Sequence, residues 1–80
     1  MGIKIRGLYF SNAKVARESI ARLSRMNISN EIKLRDALLI RQLATLHSKR
    51  TKDLKERKNY KDAAIIYTIF IDTLKSGMKH

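Results

Sequence analysis

The sequence predicts a mainly α fold. Three helices are expected, over about 12–26, 30–58 and 60–75, after a short N-terminal β-strand or arm, in a single basic domain spanning 1–80. Three observations carry this expectation. No glycine or proline falls between Leu8 and Ser76, so nothing breaks the middle of the chain. From position 13 onward the apolar residues recur at helical spacing. Serines and asparagines at 11–12, 27, 29–30 and 59 stand where helix ends need side-chain acceptors.

Each element follows in order. Ile3 and Ile5 alternate with Lys4 and Arg6, the pattern of a short strand or extended arm. Ser11 or Asn12 can cap the first helix, whose inner face is Ala13, Ala16, Ile20 and Leu23, widened by Val15 and Met26. Lys14, Arg17, Arg22 and Arg25 share the opposite face, and Asn27 suits a left-handed residue that closes the helix. Ser29 or Asn30 caps a second helix, with Glu31 in its first turn. Ile32, Leu39, Leu43 and Leu46 form one stripe on it and Leu34 with Leu38 another, so this helix is expected at the centre of the fold. The stretch Ser48–Lys58 holds one apolar residue, Leu54; it can loop, but its helical propensity favours continuing helix two as a solvated rod.

Asn59 is expected to cap the third helix, and Gly77 to stop it. Tyr60, Ala63, Tyr67, Ile71 and Leu74 lie on one face, while Ile65, Ile66 and Ile69 cover much of the remainder. Residues 65–71 are strong β-formers and also read as a buried strand; Lys61, Asp62, Ala63 and Ala64 before them favour helix. In either form the segment is too apolar for water and belongs in a core or an oligomer interface.

Size and composition narrow the class. Eighty residues bury only about 60% of their unfolded surface, and no cysteine is present to supplement the core. The histidines are His47 and His80, too few for a metal centre, and no cofactor is implied. Self-association is the remaining source of buried area, so a homodimer is expected. The longest apolar stretch, 63–71, is nine residues interrupted by Thr68, against about 20 for a membrane span. Lys4 and Arg6 interrupt what a secretory signal would need, and Arg6 stands where a myristoylation signal has Ser or Thr. The expected location is intracellular, in the cytoplasm.

Charge points to the partner. Eighteen lysines and arginines face seven acids, a formal net charge of +11, where solubility needs a magnitude of roughly 2 to 8. A polyanion that releases counterions on binding is the natural counterpart, so DNA or RNA is expected. The first candidate site is Lys49, Arg50, Lys52, Lys55, Arg57 and Lys58, extended by Lys61. Pairs four apart (Lys49 with Asp53, Lys52 with Glu56, Asp53 with Arg57) would absorb part of this charge, yet 49–58 keeps a surplus of four. The second is Arg17, Arg22 and Arg25 with Lys14; the third is Lys4 and Arg6. Tyr9 and Phe10 can stack on unpaired bases or pack in the core, and packing is the expectation. His47 reads as a boundary residue and Asp36, near Arg35 and Arg41, as a surface charge. With no cysteine nucleophile, glycine-rich phosphate loop or convergent carboxylates, no enzyme is expected. The other partner class is an acidic protein, covered by an RNA-associated inhibitor or antitoxin-like factor.

A short basic strand, an amphipathic helix, a tight polar turn and a second helix opening Ser29-Asn30-Glu31-Ile32-Lys33-Leu34-Arg35-Asp36-Ala37-Leu38 together resemble the ribbon-helix-helix regulators over residues 3–44. The resemblance implies paired N-terminal strands in a dimer, with Lys4 and Arg6, and Leu8 beside them, reading bases in the major groove. It also implies that Ser29 and Asn30 clamp the phosphate backbone.

Overall fold

Three helices account for most of residues 8–78, the part of the chain that the computed structural model describes: α1 (Ala13–Arg25), α2 (Asn30–Arg50) and α3 (Leu54–Met78). The expected strand falls mainly on residues 3–7, outside the described residues, as do Lys4 and Arg6; residues 8–10 carry no regular element. Among the described residues the fold is all helical, as the spacing of apolar residues implies.

The first two helices start on caps that the sequence offers. Asn12 Oδ1 accepts from the Val15 N–H at 3.0 Å, and Ser29 Oγ accepts from the Ile32 N–H at 3.2 Å. α1 ends at Met26 in an extended conformation (φ −66°, ψ 141°). The boundary between the second and third helices is a correction. α2 stops at Arg50 instead of running to 58, and α3 starts at Leu54, so Asn59 lies inside a helix and caps nothing. The physical reason is Asp53. Its Oδ1 accepts from the Lys55 N–H at 2.9 Å and the Glu56 N–H at 3.4 Å, capping α3 at the head of Asp53-Leu54-Lys55-Glu56. Gly77 does not stop the helix either, since α3 continues to Met78.

Residues 65–71 are helical. Residues 65, 67, 69 and 71 would share one face of a strand, yet Tyr67 and Ile71 are buried while Ile65 and Ile69 are exposed, a division that a helix makes. Thr68 and Thr73 satisfy their hydroxyls on the carbonyls of Ala64 and Ile69, each at 2.9 Å.

α3, and not α2, is the central helix. α2 packs along it as an antiparallel hairpin joined by residues 51–53, α1 packs on its other flank, and α1 and α2 scarcely touch each other. The face that α2 buries is Ala37, Ile40, Ala44 and Ser48, mostly small side chains that let α3 approach closely. Leu39 and Leu46, half of the expected stripe, remain about two-fifths exposed (43% and 40%). Asp36, expected at the surface, is buried to 4% exposure, with Arg35 Nε 3.9 Å from its Oδ1.

The segment before α1 closes one side of this layer. Leu8 joins the core beside Ala16, Leu23, Ile40 and Tyr67. Tyr67 Oη donates to the Tyr9 carbonyl at 2.9 Å, and the Tyr9 N–H donates to Ser19 Oγ at 2.8 Å. Ser19 and Tyr67 are both fully buried, so three segments meet at one polar clasp inside an apolar core. Burial pushes the Tyr67 hydroxyl up to about 12, a rise that the Ser19 hydroxyl and the Arg22 charge oppose. Phe10, His47 and Tyr60 form a three-ring cluster, with centroids 5.1 Å (Phe10–His47), 6.0 Å (Phe10–Tyr60) and 5.5 Å (His47–Tyr60) apart. His47 is thus an edge residue held by aromatic contact.

Candidate nucleic-acid interface

The basic stretch folds back on itself at the tip of the α2–α3 hairpin. Lys49 and Arg50 end α2, Lys52 lies in the connection, and Lys55 and Lys58 belong to the first turns of α3. All five are exposed. The basic residues expected along one solvated rod are therefore divided among two helices and a turn.

The turn also decides where the acids of the stretch go. Thr51 closes α2 by donating its N–H to the His47 carbonyl at 3.0 Å, and its hydroxyl donates to Glu56 Oε2 at 3.0 Å. Asp53 caps α3 by accepting from the amides already named. Both carboxylates thus hold the turn, whereas the sequence pattern pairs them with Lys49, Lys52 and Arg57 along a continuous helix. Arg57 is committed as well: Nη2 donates to the Thr51 carbonyl at 2.9 Å, and its buried Nε meets no partner. Arg57 is half-buried, and it braces the connection from within α3, so of the predicted contacts in this stretch it is the one the structure turns inward. Leu54, the lone apolar residue of the stretch, is 76% exposed at the same tip.

The second candidate face is intact but engaged differently. Lys14, Arg17, Arg22 and Arg25 are exposed along α1. The Arg22 guanidinium lies 5.5 Å over the Tyr9 ring, a cation–π contact, and Tyr9 is half-exposed beneath it. Arg22 and Arg25 occupy the last turn of α1, where cations complement its carbonyl end. Nearby, Lys33 Nζ donates to the Ser24 carbonyl at 2.9 Å and ties α2 to α1. This end of α1 and the hairpin tip are separated by the length of α2, 21 residues or about 30 Å. The two basic regions are therefore separate surfaces. Ser29 is a helix cap with its hydroxyl on the Ile32 amide, and Asn30 is exposed beside it.

Sequence reasoning placed Tyr67 on the inner face of α3 but passed over its hydroxyl's hydrogen bond, Ser19 and the capping role of Asp53. Only the last had a local signal, an Asp three residues before a Glu. Among the described residues, no three His, Asp or Glu side chains gather as a metal site, and no helix is long and apolar enough to cross a membrane. Neither a protein-family model, nor a curated protein, nor a solved structure matches the chain.

Proposed function

We propose that the chain is a non-enzymatic nucleic-acid-binding regulatory protein, intracellular and homodimeric, which grips the phosphate backbone with the tip of its α2–α3 hairpin. The observation that carries this reading is the turn itself. Five exposed cations (Lys49, Arg50, Lys52, Lys55 and Lys58) surround a connection whose two carboxylates are occupied in holding it closed. Each phosphate that such a cation neutralises releases condensed counterions from the polyanion. Side chains from two helices and a turn also reach separate phosphate oxygens, which positions a protein without reading sequence. Arg17, Arg22 and Arg25 add a second, weaker surface. Under the ribbon-helix-helix resemblance, Lys4 and Arg6 would supply base contacts.

A salt titration on nuclease-treated protein tests the proposal, using a 20-base-pair DNA duplex and an RNA duplex of the same length. Five phosphate contacts predict that log affinity falls against log salt with a slope of roughly −4 to −5 on DNA. Preference between the two duplexes assigns the polymer. A flat dependence, or no binding to either duplex at low salt, overturns the reading in favour of an acidic protein partner.

A further inference from the structure

The face of α3 opposite the core carries the row Lys61, Ile65, Ile69 and Asp72, and all four are exposed. Ile65 and Ile69 are 56% and 59% exposed, although they stand at the middle of the central helix. On either side the row falls into a shallow groove. The α1–α3 groove, of 330 Å3, is lined mainly by Ile20, Ala21, Ile66 and Phe70, with Arg17 at its edge. The α2–α3 groove, of 400 Å3, is lined by Thr45, Ser48, Ala64 and Ile65 between Lys49 and Lys61. Clearing water from an isoleucine pair of this exposure is a strong driving force for association.

The geometry points to a second copy of this chain as the occupant, with the two α3 helices antiparallel about a two-fold axis level with position 67. The charge pattern sets that choice. Lys61 and Asp72 lie almost equally far from position 67, on the same side of the isoleucine row at 3.6 residues per turn. A two-fold at that level stacks Ile65 on Ile69 of the second copy and sets Lys61 beside Asp72 of the second copy, twice over. That is the self-complementarity an isologous interface requires. A parallel pairing would set lysine against lysine.

Area fixes how much of the face takes part. α3 is 25 residues long, so a strip about 37 Å by 10 Å supplies roughly 400 Å2 per copy, against the roughly 800 Å2 of a standard interface. The grooves must therefore close as well, and the +11 charge on each copy opposes the approach. Such a dimer is of moderate strength and tightens as salt screens the repulsion, opposite to the salt response expected for nucleic-acid binding.

The association does not rest on the nucleic-acid reading, but its consequence does. Lys55 lies twelve residues from the axis level, which puts the two hairpin tips about 36 Å apart along the shared helix direction. One turn of duplex DNA is about 34–36 Å, so the two tips would meet the same strand pair one turn apart.

Sedimentation of nucleic-acid-free protein over a range of concentration tests the interface apart from binding. The wild-type chain should form a dimer that Ile65→Glu with Ile69→Glu abolishes, while the circular dichroism stays helical because both positions are exposed. Lys61→Glu and Asp72→Lys should each weaken the dimer roughly tenfold, since each turns two attractions into repulsions. The double exchange Lys61→Glu with Asp72→Lys should restore it. A chain that stays monomeric at the highest concentration overturns the proposal. So does a dimer indifferent to the isoleucines, or a failure of the double exchange. A monomer that binds an acidic amphipathic peptide through Ile65 and Ile69 overturns it in favour of a foreign helix.

Discussion

The hairpin tip and the outer face of α1 have similar composition, but their charges are differently placed. On α1, Arg22 covers the Tyr9 ring and, with Arg25, sits against the carbonyl end of the helix. There the cations already have favourable local company before any ligand arrives. At the tip, the backbone break at 51–53 draws Asp53 and Glu56 into capping and bracing and leaves the neighbouring lysines facing water. Formal charge barely separates the two regions, a surplus of four over 49–58 against three over α1. What separates them is the backbone's demand for acceptors, because a helix start left without them costs about 1 kcal/mol, more than an exposed ion pair typically returns.

Reversing the tip gives the largest expected effect. Lys52→Glu with Lys55→Glu and Lys58→Glu should lower duplex affinity by about a hundredfold or more at low salt and reduce the salt slope by roughly three. The helical circular dichroism should persist, since all three side chains are exposed. The matching change on α1, Arg17→Gln with Arg22→Gln and Arg25→Gln, should weaken binding several-fold less. If the α1 variant loses more, the comparison is inverted and the phosphate surface lies on α1.

Much of this architecture is legible in the sequence, and the misreadings have physical causes. The inner faces of α1 and α3 follow from apolar residues three and four apart, and Ala16, Leu23, Ala63, Tyr67 and Ile71 are buried accordingly. α2 misleads because large leucines attract a stripe through Leu39 and Leu46, whereas close packing against α3 selects the small row Ala37, Ala44 and Ser48. The break at 51–53 is hidden because Lys, Glu and Arg favour helix on both sides, and only the cap at Asp53 distinguishes two helices from one. At the candidate site the cations are legible one by one, but their gathering at a tip depends on that break. The inward turn of Arg57 depends on the Thr51 carbonyl, which no local pattern marks.

The α1 side can be tested through the clasp that holds Tyr9 to it. Tyr67 is an acid whose value rises from 10.0 to about 12 on folding, so the folded state keeps its proton longer than the unfolded chain. Its contribution is therefore complete below pH 10 and lost as pH climbs from 10 to 12. Tyr67→Phe should lower stability by about 1–3 kcal/mol at neutral pH, because the Tyr9 carbonyl loses its donor. Urea midpoints at pH 7 and pH 11 should then converge between the two proteins, the lysine background being common to both. A gap that stays constant with pH would mean that the hydroxyl does not titrate with folding. The tip, remote from the clasp, should keep its duplex affinity in this variant at temperatures where the chain is folded.

The smallest expected effect examines whether the tip acids serve the turn. Asparagine at position 53 keeps the cap acceptor but not the charge, whereas alanine removes both. Asp53→Asn should change stability by only about 0.5 kcal/mol, the loss of an anion at a helix start, and should raise duplex affinity by removing a repulsion. Asp53→Ala should raise affinity similarly but lose about 1 kcal/mol of stability, seen as a lower urea midpoint with an unchanged slope. Because the two variants differ in cap and not in charge, their difference in stability measures the turn alone. Equal stabilities would mean that Asp53 acts mainly as a counter-charge to its lysines. The tip and α1 would then be alike in how they use their acids, and the case for placing the phosphate contacts at the tip would fall.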